Sequence, residues 1–139
     1  MELHVTIDWC EKNYSAPLAT EGMGAVIATA KTEADVIKKF QEAFGFHIEG
    51  MKEDGDAIPD YIIKGDYKFV YERTMSATLR NLQQYTTLSA ISRVTGIKHA
   101  QLSHYANGTS RPRAEQKNRI LQGLHTIGQE CLSAQQQLL

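Results

Sequence analysis

The sequence predicts an α+β protein, with a βββαβ segment over residues 1–73 and an all-α segment over residues 74–139. Apolar residues alternate in short runs in the first segment and follow helical spacing in the second. Residues 1–73 contain eight Lys and Arg against fourteen Asp and Glu, a net charge of −6, whereas residues 74–139 contain seven against two, a net charge of +5. The overall charge of −1 therefore combines an acidic part with a basic part, and we expect two small domains.

Three strands are predicted at the N-terminus. Apolar residues alternate with polar ones over the first ten positions, at Leu3, Val5, Ile7 and Trp9. Short runs rich in Ala, at 14–20 and 24–30, favour two more strands in an antiparallel meander packed under a helix. Pro17 has no backbone N–H to donate, so we expect the second strand at a sheet edge.

A long amphipathic helix and a last strand complete the first segment. Thr32, followed three residues later by Asp35, resembles a capping box and predicts where the helix begins, and Asp54-Gly55-Asp56 predicts where it ends. Helical spacing places six apolar residues on one face, namely Val36, Ile37, Phe40, Phe44, Ile48 and Met51. The last strand is expected over residues 66–73, where aromatic residues recur at every second position, at Tyr67, Phe69 and Tyr71.

The second segment predicts helices only, two of them arranged as a helix-turn-helix. After a helix over residues 75–85, Thr87 can cap a short helix that Gly96 ends in a left-handed conformation. Its inward positions are Leu88, Ile91 and Val94. A second short helix follows the buried Ile97 and stops at Asn107-Gly108, with Leu102 and Tyr105 inward. One or two further helices are expected over residues 113–139.

The outward residues of the second short helix suggest contacts with DNA, because this helix enters the major groove in a helix-turn-helix. They are nearly all hydrogen-bonding types: Lys98, His99, Gln101, Ser103 and His104. Thr109, Arg111 and Arg113 follow in a loop, where the arginines can hold phosphates and so position the protein, while Gln101 can read adenine. A solvated surface is the simpler alternative for the histidines, and Asn107 is better explained as a helix cap.

Composition excludes several other classes of protein. An apolar content of 42% with three prolines excludes general disorder. No stretch approaches the roughly 20 apolar residues that span a bilayer, and the N-terminus lacks the features of a signal peptide, so we expect a cytoplasmic protein without membrane contacts. Cys10 and Cys131 lie far apart and form no CxxC pair, which favours free thiols over a disulfide.

The first segment resembles the HicB antitoxins of bacterial toxin–antitoxin pairs in three stretches: LHVTIDWCEKNYSA, TEADVIKKFQEAFGFHIEGM and EDGDAIP. The second segment is similar to the lambda-repressor-like helix-turn-helix that some of these antitoxins carry, most clearly in LSHYANGTSRPR. The resemblance covers nearly the whole chain. It implies that residues 1–73 form a partial RNase H-like domain that covers a HicA toxin, a small basic ribonuclease acting on mRNA. It also implies that residues 74–139 bind double-stranded operator DNA and repress the operon of the pair.

Three positions depart from the family pattern. Residues 19–24 stand where the family often has a Pro-Gly-Cys-like turn, so we do not expect the family's toxin contacts at this loop. Lys98 stands where the family often has a Ser cap. Loss of the cap lowers helix stability by about 1 kcal/mol, unless packing or a phosphate contact by Lys98 offsets it. Ser92 replaces a usual Ala, a change between small residues that suits close helix crossing.

An RNase H-like fold invites a test for catalysis, which needs several carboxylates converging on metal ions. Asp8, Glu42 and Glu49 are the candidates, whereas the five histidines lack zinc spacing and no phosphate-binding glycine loop is present. We therefore expect no enzymatic activity, no metal and no cofactor. The carboxylates are expected to form an acidic surface offered to a basic toxin.

A homodimer or higher homo-oligomer is expected, because the apolar residues after residue 113 exceed what covering a two-helix unit requires. Leu124, Ile127 and Leu132 are the candidate contacts, and a role in the core of one chain is equally open for each. The alternative to an antitoxin is a stand-alone transcription regulator whose N-terminal domain binds another protein or a small ligand. A neighbouring gene for a small basic protein would favour the antitoxin.

Overall fold

The computed structural model describes residues 1–139 and contains a four-stranded mixed sheet and six helices. In chain order the elements are β1 (Glu2–Cys10), β2 (Asn13–Thr20), β3 (Gly24–Ala30), α1 (Glu33–Glu53), α2 (Asp60–Ile63), β4 (Lys68–Arg73), α3 (Met75–Leu82), α4 (Leu88–Thr95), α5 (His99–Asn107) and α6 (Ala114–Gln136). The predicted α+β class is therefore confirmed. The sequence missed α2, whose four residues are too few to show helical periodicity.

The sheet has the strand order β3-β2-β1-β4. Strands β1, β2 and β3 form the predicted antiparallel meander. Strand β4 returns parallel to β1, in a register that pairs Glu2 with Lys68 and Ile7 with Arg73. A parallel partner requires a crossover, and α1 and α2 supply it.

The prediction that β2 lies at an edge is wrong, because β2 lies between β1 and β3. The ladder between β1 and β2 runs from Cys10 and Asn13 to Asp8 and Ser15, so it ends before Pro17. The missing N–H of Pro17 therefore removes no bond from that ladder, and the edge strands are β3 and β4.

Helix α1 covers one face of the sheet and forms the first of two hydrophobic clusters. Thr32 Oγ1 accepts a hydrogen bond from the N–H of Asp35 at 3.1 Å, so the helix begins where predicted. Phe40 and Phe44 are buried against the aromatic residues of β4 and meet the ring of Phe69 edge-on at centroid distances of 5.1 and 5.0 Å. The opposite face of the sheet is open to solvent at alternate positions of β1.

The second cluster lies among α3, α4, α5 and α6 and consists of Leu79, Ile91, Ile97, Leu102, Tyr105, Ala106 and Ile120. Helix α3 contributes to both clusters, because Ala77 packs in the first and Leu79 in the second. It follows β4 directly, with Thr74 as its N-cap. Val94, predicted to point inward, is 43% exposed beside α6. None of the helices combines the length and apolar composition needed to cross a bilayer.

Candidate nucleic-acid interface

The turn between α4 and α5 is built from local hydrogen bonds. Thr87 Oγ1 accepts from the N–H of Ala90 at 3.0 Å, which caps α4 as predicted. Gly96 ends the helix at a φ of 75°, in the left-handed region. The Ser92 hydroxyl donates to the carbonyl of Ile97 at 2.5 Å, so this departure from Ala adds a bond across the turn.

Helix α5 has the predicted inward face, but only three of the five residues predicted to face outward are exposed. Its inward face consists of the buried residues Leu102, Tyr105 and Ala106. At its N-terminal end Lys98 and His99 are exposed, whereas Gln101 and Ser103 are half-buried. Lys98 is the N-cap residue, and its exposed ammonium group, which pairs with no carboxylate, is available to an anion.

Two of the predicted contact residues are also bonded to the loop that follows α5. His104 Nδ1 lies 3.1 Å from Thr109 Oγ1, and that hydroxyl donates to the carbonyl of His104 at 3.1 Å. Gln101 Nε2 donates to Ser110 Oγ at 3.5 Å, a long and weak hydrogen bond. A base contact by Gln101 requires the loss of only this weak bond, whereas His104 is tied more firmly to the loop.

Arg111 and Arg113 are exposed on either side of Pro112. Arg113 is the N-cap residue of α6 and makes no side-chain capping bond. Arg111 Nη2 lies 3.7 Å from Asp8 Oδ2, but the Arg111 side chain is 80% exposed, so this ion pair is weak. The structure thus places all the predicted contact residues on α5, at its N-cap or in the loop that follows it.

Further cations lie near α5 and the loop after it. The sequence indicated them only through the net charge of residues 74–139. Arg93 is exposed in the last turn of α4, and Lys117 is exposed in the first turns of α6. Arg119 donates to the carbonyl of Thr95 at 2.8 Å. Arg111 is the one cation of residues 74–139 that pairs with a carboxylate, so most of the positive charge is uncompensated.

The C-terminal end of α5 is attached to the first segment, a contact that the sequence did not reveal. The guanidinium carbon of Arg80 lies 4.4 Å from the centroid of the Trp9 ring, a cation–π contact. Arg80 Nη2 donates to Asn107 Oδ1 at 2.7 Å, and Gly108 is the C-cap. The prediction of Asn107 as a cap is therefore wrong, because its side chain is bonded to Arg80 on α3. A Cβ at Gly108 would lie 3.2 Å from the carbonyl oxygen of Trp9.

A cleft of about 570 Å³ lies between the end of β1 and the loop after α5. Asp8 and Arg73 line one side, and Thr109 and Arg111 line the other. Asp8 Oδ1 accepts from the Thr74 hydroxyl at 2.7 Å, which fixes the carboxylate at the rim. Part of the candidate DNA surface is therefore also a wall of this cleft.

Two groups near the cleft have shifted pKa values. Hydrogen bonds from Arg73 to the Glu33 carboxylate raise the pKa of Arg73 above its ordinary value. Burial, with a smaller contribution from the negative charge of Glu33, raises the pKa of Tyr14. Tyr14 meets Trp9 edge-on, with ring centroids 5.0 Å apart. Both shifts favour the ordinary neutral-pH states, a charged Arg73 and an uncharged Tyr14.

The carboxylates that the sequence offered as catalytic candidates lie on different elements. Asp8 is at the end of β1, whereas Glu42 and Glu49 are exposed on α1. Glu49 accepts from Lys52 Nζ at 3.3 Å. No three His, Cys, Asp or Glu side chains are grouped as potential metal ligands. Cys10 and Cys131 are both free and exposed.

The apolar residues of α6 divide between core and surface. Leu124 and Ile127 are half-buried and pack against the second cluster. Leu121 and Leu132 are 47% and 53% exposed. The exposed pair leaves an apolar surface on α6, while the other two already serve the core of one chain.

No protein-family model matches the chain, and neither curated proteins nor solved structures show a significant similarity to it.

Proposed function

We propose that this protein is a HicB-type antitoxin that neutralises a basic mRNA-cleaving toxin and represses its own operon. The observation that carries the proposal is the separation of charge along the chain. An exposed basic surface on α5 and the loop after it lies in a segment of net charge +5, joined to a segment of net charge −6. DNA attracts the first surface, and a basic protein partner is attracted by the second.

In the proposed DNA complex, residues 88–107 act as a lambda-repressor-like helix-turn-helix and α5 enters the major groove. Lys98, Arg111 and Arg113 contact phosphates, because each carries an exposed cation that no strong ion pair holds. Gln101 and Ser103 lie further along the helix and face base edges.

A homodimer completes the proposed DNA-binding form, because one short helix offers few contacts to a specific site. Leu121 and Leu132 are its best candidates for the interface, since both are exposed on α6. Two half-sites about 34–36 Å apart would then match the two-fold symmetry. Ile127→Asp should unfold the second cluster rather than only dissociate the dimer, because Ile127 packs against that cluster.

Residues 1–73 are proposed to be a partial RNase H-like toxin-binding domain of a cytoplasmic protein without enzymatic activity. Its role is to cover the basic toxin, for which complementary charge speeds association and aids specificity.

The proposal is tested by co-expression of the full chain with the product of the adjacent gene. We expect rescue of growth from that product, co-purification of the two proteins, and binding of the purified chain to DNA from upstream of its own gene. A folded chain that neither rescues growth nor co-purifies would refute the antitoxin role, and failure to bind the upstream DNA would refute autorepression.

A stand-alone regulator that binds a small ligand is the second candidate, and the cleft beside Arg111 favours it. Its volume of about 570 Å³ is within the range of about 300–1,000 Å³ usual for ligand sites. DNA binding without any effect on a neighbouring gene product would support this candidate over the antitoxin.

A further inference from the structure

The two edges of the sheet differ in their protection against further strand pairing. Strand β4 carries Lys68, Glu72 and Arg73, and charged side chains on an edge disfavour the addition of another strand. Strand β3 has the sequence GAVIATA, without a charged residue or a proline. Its outer backbone groups have no partner strand. An uncharged free edge of seven residues is a template for an additional strand.

A groove of about 410 Å³ runs beside this edge, between β3 and α1. Phe46 on α1 lines it and is 83% exposed. Ile27 on β3 is 65% exposed, and it points to the open face of the sheet because Val26 and Ala28 are buried under α1. Large apolar side chains therefore lie on both sides of the free edge. Alternate side chains of an added strand would cover them.

The groove is held open by its own residues. His47 on α1 bonds through Nε2 to the carbonyl of Met23, which fixes the turn that leads into β3. Gly50 lines the groove without a side chain, and a Cβ built on it meets no atom within 4 Å. The space over Gly50 is therefore free.

Charge around the groove selects the partner. Residues 40–60 contain six Asp and Glu and one Lys, a net charge of −5, and that residue, Lys52, already pairs with Glu49 at 3.3 Å. Asp54 and Asp56 line the groove itself. A basic strand would neutralise these carboxylates, whereas a second copy of β3, with the uncharged sequence GAVIATA, would not.

We propose that β3 and the groove beside it dock an extended strand of a basic protein. The added strand pairs with β3 through its backbone and becomes the fifth strand of the sheet. It places an apolar side chain against Phe46 and Lys or Arg side chains next to Asp54 and Asp56. The surface rests on the proposed function, since the basic partner is the toxin that the acidic segment neutralises.

Gly50→Leu tests this surface with a matched control, Gly45→Leu. Both glycines are on α1, and a Cβ at either meets no atom within 4 Å, so both positions have room for the first carbon of a side chain. Only Gly50 lines the groove. We expect Gly50→Leu to weaken binding of the adjacent gene product to the full chain by about tenfold or more, a loss of about 1.4 kcal/mol, and Gly45→Leu to leave it unchanged.

Hydrogen exchange gives a second measurement on the same complex. The outer amides of β3 should become protected when the partner binds, because a new ladder engages them. Equal binding by Gly50→Leu and the wild type, with no added protection in β3, would overturn this surface while leaving the antitoxin role intact. Failure of the wild type to bind the adjacent gene product would instead refute the proposed function and this surface together. A Gly50→Leu chain whose own dimer dissociates would assign β3 to a second copy and overturn the proposal.

Discussion

Gly123→Ala is expected to loosen the packing of α6 on α4. A Cβ at Gly123 would lie far inside van der Waals contact with Thr95 Cγ2. Thr95 cannot rotate away freely, because its hydroxyl donates to the carbonyl of Ile91 at 2.7 Å and accepts from the N–H of Ile97 at 3.2 Å. Overpacking of this kind destabilises a protein by about 1–3 kcal/mol.

The magnitude is best measured against Gly128→Ala on the same helix. Replacing Gly by Ala in a helix interior stabilises it by about 1 kcal/mol, and at Gly128 nothing opposes this gain, because a Cβ there meets no atom within 4 Å. Gly128→Ala should therefore raise the free energy of unfolding by about 1 kcal/mol. Gly123→Ala should lower it by about 1 kcal/mol, once the helix gain is set against overpacking of about 2 kcal/mol.

Urea unfolding followed by circular dichroism, at one protein concentration for all variants, measures both changes. The predicted difference of about 2 kcal/mol between the two variants is the overpacking alone. If Gly123→Ala were as stable as Gly128→Ala, the close contact between α6 and Thr95 would be wrong. A second change, Thr95→Ser, removes the clashing methyl group and should restore stability to the Gly123→Ala chain.

Three further outcomes follow from the structure. Arg111→Ala should weaken binding to every DNA sequence and reduce the slope of log affinity against log salt concentration by about 1. Gln101→Ala should mainly relax sequence preference. An unchanged salt slope for Arg111→Ala would refute the phosphate contact of Arg111. Because burial raises the pKa of Tyr14, the folded state favours the uncharged phenol, so this residue contributes stability that is present below its unfolded pKa of about 10 and is lost as pH rises through the folded value. Tyr14→Phe should make the free energy of unfolding depend less on pH above about 10, and a pH dependence equal to that of the wild type would contradict the linkage. Arg73→Met removes the partner of the Glu33 carboxylate, whose side chain is only 11% exposed. The change should lower the free energy of unfolding by about 1–2 kcal/mol, which thermal melts at pH 7 can detect.

Local signals in the sequence determined the order of the main elements and most of the packing of α1. Three features depend only on residues close in sequence: the alternation in β1, the cap at Thr32 and the left-handed turn at Gly96. Their conformations follow from backbone sterics and short-range hydrogen bonds, which depend on the identities of neighbouring residues. The candidate DNA contacts after Gly96 were placed on one helix and one loop for the same reason.

Only the tertiary structure decided which strands lie at the edges, because strand order depends on long-range pairing that no local pattern encodes. Pro17 indicated an edge, yet its strand is central, and the edge strands are β3 and β4. The double role of α3, the stacking of Arg80 on Trp9 and the bond from Arg80 to Asn107 likewise join residues far apart in sequence. These contacts attach the candidate DNA-binding helix to the acidic segment, and they exist because burial of both clusters brings distant surfaces together.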